Sequence, residues 1–166
     1  LQIIANDLGN LAQRTLSMIA KNCGNKVPAG QDTGRGQVML GAIYDTLEEV
    51  RVYIDNEAPH KYLECIWSQV REANSYISDM EPWVLKKTNP LRMEEVLYTS
   101  AEALRRIAIL TQPIMPDSMN QLLNQLGVPK NERSFAHLNE GFKLKTGNIL
   151  PAPLGIFPRY NRGEKT

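Results

Sequence analysis

Apolar residues in this chain return at steps of three and four, and the runs they form are cut by proline. Ile4, Leu8, Leu11, Thr15 and Met18 set the pattern over residues 1 to 23. That spacing places side chains on one face of a helix with 3.6 residues per turn. Gly24 follows and suits a left-handed helix cap. After a Gly- and Pro-bearing loop, in which Asp32 or Thr33 is the candidate cap, a second helix is expected over 37 to 56. Its inward residues are Val38, Ile43, Leu47, Val50 and Ile54. A third, over 60 to 78, carries Leu63, Ile66, Trp67, Val70 and Ile77. Pro82 suits a first helical turn, and Asn89-Pro90 opens a long helix to about residue 112. Pro113 and Pro116 precede or begin a fifth helix that ends near Gly127 and Pro129.

Two-residue alternation is almost absent, so the expected class is all-α. Five to six helices with mostly short links imply an antiparallel helix bundle. The helical domain is expected over residues 1–139. Residues 140–166, which include "GNILPAPLGIFPRY", read as an extended Pro/Gly-rich C-terminal tail. At 166 residues the chain is long enough to bury roughly 70% of its unfolded surface in one domain. It begins at Leu1 with the apolar pattern already running, as expected of a piece of a longer protein. No apolar run is long enough to span a bilayer. Cys23 and Cys65 form no CxxC pair, which fits a reducing, cytoplasmic setting.

The residues offer little to catalysis. Glu57-x-x-His60 has the spacing of a di-iron ligand pair, but the further carboxylates such a site needs are missing, and Pro59 lies inside the motif. His137 has no partner in the pattern. "GRGQVMLG" follows no strand and lacks the lysine of a phosphate loop. No catalytic residue, metal ligand or cofactor site is assigned to this chain.

Two features could instead read a ligand. The first is the polar stripe of helix one, Asp7, Asn10, Arg14, Ser17 and Lys21. It is either an ordinary wet face, with Asp7 paired toward Lys21, or a recognition surface. An amide donates and accepts, and a guanidinium is a rigid donor fork, so Asn10 and Arg14 could read an unpaired base. The second is Trp83, which follows Pro82 at a helix start and lies near Lys86 and Lys87. It is either a core anchor or a stacking platform held at a stiff corner. Trp67, among Ile66 and Val70, reads as core. The formal charge of only +1 argues against binding nucleic acid mainly through phosphates.

"ANDLGNLAQR", "EPWVLKK" and "LTQPIMPDS" together resemble the carboxy-terminal helical domain of methionyl-tRNA synthetases. "PAPLGIFPRY" resembles the segment with Phe-Pro-Arg that closes the bacterial-type enzyme, so the likeness runs from about residue 1 to 160. The resemblance implies an anticodon-binding domain whose partner is the tRNA for methionine, with a CAU anticodon. It implies that Asn10, Arg14 and Trp83 contact the anticodon, Trp83 by stacking on its first base. Pro82, Lys86 and Lys87 are the supporting candidates. The HIGH-type and KMSKS-type signatures of the family are absent here. The resemblance therefore implies that ATP and magnesium serve a catalytic domain upstream of Leu1, toward which the tail turns back. In that reading the parent is an ATP-dependent ligase and this chain alone is inactive. Two other readings stay open: a helical protein-interaction module, and the anticodon domain of a sibling synthetase for leucine, isoleucine, valine or cysteine.

Overall fold

The structure, a computed structural model, describes residues 1–154. Six α-helices follow one another: α1 (Gln2–Asn22), α2 (Arg35–Asp55), α3 (Pro59–Met80), α4 (Pro82–Thr88), α5 (Pro90–Thr111) and α6 (Pro116–Gln125). Two 3-10 turns come after them, Phe135–His137 and Glu140–Phe142. The architecture is the expected all-α bundle. Prolines open α3, α4, α5 and α6. At a first helical position a proline loses no hydrogen bond and arrives with its φ already helical. Asn89 adds a side-chain cap to α5 by accepting from the Arg92 N–H at 3.2 Å. Gly24 is left-handed after α1, as its position suggested. No helix among the described residues is long and apolar enough to cross a membrane.

α5 is the axis of the bundle. Every residue from Val96 to Thr111 is buried, and the helix packs against α1, α2, α3, α4 and α6. Side-chain ties fix the directions. Arg35 at the start of α2 reaches Asp79 near the end of α3, so these two helices are antiparallel. Asp7 meets Trp67 and Arg14 meets Ser78, so α1 and α3 run in the same direction.

Two residues expected to face inward on α2 do not. Val38 is 73% exposed and Ile54 is 42% exposed. The buried stripe is Met39, Leu40, Ile43, Leu47 and Val50. Val38 precedes Ile43 by five residues, about 140° around the helix, and so faces water. Ile54 is on the correct face but in the last turn.

The core also holds charge. Glu102, Arg105 and Arg106 on α5 are buried. Glu102 accepts from Arg105 Nε and Arg106 Nε, each at 2.7 Å. Arg105 donates to the carbonyls of His137, Leu138 and Asn139, and the Leu144 N–H donates to Glu102 at 3.0 Å. Arg106 donates to the Leu40 carbonyl on α2. The ion cluster therefore fastens the chain after α6 to the central helix.

Residues 143–154 are non-helical, with a turn at Thr146 and Gly147, and much of this stretch is stitched to the bundle. Val27 donates to the Asn148 carbonyl and accepts from the Gly147 N–H, both at 2.9 Å. Leu144 and Leu150 join the main core, so packing continues past residue 139. Gln125 exchanges two hydrogen bonds with the Leu154 backbone. The "GIFPRY" part of the tail motif lies outside the described residues.

Candidate nucleic-acid interface

The site begins at the corner between α3 and α4. Glu81 takes a left-handed conformation, φ 49°, and ends α3 by donating its N–H to the Ile77 carbonyl at 3.2 Å. Its own carbonyl accepts from the N–H groups of Val84 and Leu85 and starts α4. Pro82 lies buried between the two helices, and Trp83 emerges next to it, 44% exposed. Trp83 is therefore not a sealed core anchor.

α1 brings the other two groups to that corner. The Arg14 Cζ lies 5.5 Å from the centre of the Trp83 ring. A cation so placed over an indole is worth about 0.5–1 kcal/mol at an exposed site. Arg14 Nη2 also donates to Ser78 Oγ at 3.0 Å. One arm of the guanidinium is thus fixed, while Nε and Nη1 keep their donors. Asn10 is exposed one turn earlier on α1. Its amide makes no side-chain hydrogen bond among the described residues.

Asn10, Arg14 and Trp83 line one open depression of about 320 Å³. Gln13 and Ser17 add polar wall; Met18 and Ile77 add apolar wall. That mixture of a flat ring, apolar surface and unspent donors suits an unstacked base. Lys86 and Lys87 are exposed in the last turn of α4 but do not line the depression. Ser17 belongs to the polar stripe read from the sequence; Gln13 and Ser78 do not. Gln13 adjoins Arg14 in the quoted motif, but Ser78 could be found only from the register of α1 against α3.

Asp7 departs from the expected pairing toward Lys21. Its Oδ2 accepts from Trp67 Nε1 at 2.9 Å, and its carbonyl accepts from Asn74 Nδ2 at 3.0 Å. Asp7 therefore fastens α1 to α3. Trp67 itself is half-buried, not sealed in the core.

Asp32 supports the corner from behind. It is buried, and its carboxylate accepts from the N–H groups of Gly34 and Gly36, from Tyr76 Oη and from Arg92 Nη1, at 2.8–3.0 Å. Burial alone would push this carboxyl up. The Arg92 guanidinium, the two N–H donors and the Tyr76 hydroxyl outweigh it and hold the group at about 2. Arg92 also reaches Met80 Sδ at 3.9 Å, and Arg35 at the start of α2 binds both Asp79 and Glu72. The turn carrying Trp83 is thereby braced against α2 and α5. Gly36 must be glycine here, because a Cβ would sit 2.7 Å from both Asp32 Cβ and Thr99 Cγ2.

Among the described residues, no group of three or more His, Cys, Asp or Glu side chains could hold a metal ion. Glu57 has a φ of 52° and precedes α3, so Glu57 and His60 do not share a helix.

The fold matches part of an aminoacyl-tRNA ligase. The crystal structure of free Mycobacterium tuberculosis methionyl-tRNA synthetase superposes with a TM-score of 0.89 at 42% identity, covering 96% of this chain and 33% of that one. The same enzyme bound by methionyl-adenylate gives a TM-score of 0.87 at 42% identity, over 93% of this chain and 31% of the other. Methionine–tRNA ligases of Brucella suis and Mesorhizobium japonicum are 48% and 47% identical to it, over 98% and 95% of its length. The family model for the anticodon binding domain of methionyl tRNA ligase matches residues 27–165. The chain belongs to that family. It spans about a third of the length of the relatives it matches.

Proposed function

We propose that this chain reads the CAU anticodon of the tRNA for methionine, on the surface formed by Asn10, Arg14 and Trp83. The supporting observation is their convergence on one open depression, with the indole 44% exposed. In this reading Trp83 stacks on the first anticodon base. Asn10 offers a donor and an acceptor to base edges. Arg14, steadied by Ser78, directs its remaining donors at a base or its backbone. Lys86 and Lys87 lie on the neighbouring helix, suited to phosphates approaching the corner. The whole enzyme would attach methionine to its tRNA, with ATP and magnesium bound in a catalytic domain outside this chain. The tail would run toward that domain. The two free thiols, Cys23 and Cys65, support a cytoplasmic setting.

The test is Trp83→Ala. A base stacked on an aromatic ring contributes about 1–3 kcal/mol, so the variant should bind a methionine-type anticodon stem-loop about 5- to 150-fold more weakly. Its melting temperature should barely change, because the ring is half in water. Unchanged affinity, or a domain that no longer folds, would overturn the assignment.

A further inference from the structure

The pairing of a guanidinium with an indole occurs a second time on the seam between α1 and α3. The Arg71 Cζ lies 4.8 Å from the centre of the Trp67 ring. That ring is held in place by its N–H bond to Asp7. Arg71 precedes Ser78 by seven residues on α3, so the two share a face about 10.5 Å apart along the helix. Ser78 is the residue that holds Arg14. On α1, Asp7 and Arg14 keep the same seven-residue step. The two pairs thus lie in register along one strip.

The surrounding charges leave Arg71 available. Of the carboxylates on α3, Arg35 binds Glu72 and Asp79, at 3.2 and 2.6 Å, and Glu64, seven residues before Arg71, makes no salt bridge among the described residues. Asp7 is engaged by the Trp67 N–H. Arg71 is exposed and makes no salt bridge among the described residues. A guanidinium held against a ring loses less freedom on binding than a loose one.

We infer that Arg71 binds a backbone phosphate of the same RNA whose bases are read at Trp83, extending the recognition surface along α3. The inference rests on that anticodon reading. The rise of about 10.5 Å separates Arg71 from Ser78 along α3, and the Arg71 guanidinium lies a turn farther back over Trp67, so the two places are a few nucleotides apart on an extended strand and within one anticodon loop. A phosphate carries no sequence information, so this contact should add affinity without choosing a base.

The experiment titrates this chain with labelled anticodon stem-loops, one bearing CAU and one altered at a single base, between about 50 and 200 mM salt. Arg71→Gln should weaken both RNAs by a common factor, about 3- to 10-fold at low salt. It should also reduce the slope of log affinity against log salt by about 0.7. Arg71→Lys, which keeps the charge, should retain the slope. Trp83→Ala is measured alongside. Loss with Trp83→Ala but none with Arg71→Gln would overturn the inference, leaving Arg71 as a cover for Trp67 and the base site intact. A loss with Arg71→Gln confined to the CAU loop, or one without a change in slope, would overturn it as well. Loss with Arg71→Gln but none with Trp83→Ala would leave the phosphate contact standing and remove the base site.

Discussion

Replacing Asp32 by asparagine should destabilise the fold at neutral pH and much less in acid. The Asp32 carboxyl sits at about 2 in the folded chain against an ordinary value of 3.8. A lowered folded value means that the charged form stabilises the fold. That contribution is complete above about pH 4 and is lost as pH falls toward 2. The difference between the two values amounts to about 2 kcal/mol. The asparagine keeps one acceptor but turns an NH2 toward groups that are themselves donors, and it takes from Arg92 the buried one of its two carboxylate partners, leaving Glu95 at 2.9 Å. Urea denaturation followed by circular dichroism at pH 7, 4 and 2.5 would measure the gap between the two proteins. We expect about 2–3 kcal/mol at pH 7, roughly 4–12 °C in melting temperature, shrinking steadily below pH 4. A gap of the same size at pH 2.5 and pH 7 would refute the argument, because the bonds at Asp32 would then owe nothing to its charge.

Glu102→Ala should be costlier still. It would leave Arg105 and Arg106 buried without their carboxylate, a loss of about 3–5 kcal/mol read from the same denaturation curves. A variant within 1 kcal/mol of the parent would contradict the role given to the cluster. Both thiols should be sluggish toward alkylation. Burial, reinforced by Glu94, pushes Cys23 up to about 11. Burial, with a hydrogen bond to Glu49, pushes Cys65 up to about 12. At pH 8 each should react with iodoacetamide at least about tenfold more slowly than free cysteine. A rate matching that of free cysteine would count against this.

Sequence periodicity revealed the long helices because each has an apolar stripe to bury, and Pro82, Pro90 and Pro116 marked where three helices begin, while Pro59 read only as a break. It could not show which neighbour each stripe meets. Asp7 looked wet until α3 placed Trp67 opposite it, whereas Val38 was off the stripe by helix geometry alone. Arg105 and Arg106 sit in an apolar run, yet nothing local indicates that a glutamate three and four residues earlier accompanies them into the core. The loop offered Asp32 only as a candidate helix cap, because its partners Tyr76, Arg92 and Thr99 come from distant helices. At the candidate site, Pro82-Trp83 was legible as a stiff corner and Asn10 with Arg14 as one helical face. Their meeting depends on the parallel register of α1 and α3, which no spacing within either helix encodes.

The central claim is that an amide, a guanidinium and an indole on one open face distinguish one anticodon from another. The most direct measurement is an NMR titration of this chain with the CAU stem-loop and with a one-base variant, following the Trp83 indole N–H. The account predicts tighter binding to CAU, a shifted Trp83 signal, and loss of the preference in Asn10→Ala and Arg14→Ala variants that still fold. Equal affinity for the two loops, or a Trp83 signal that stays put while RNA binds, would contradict it.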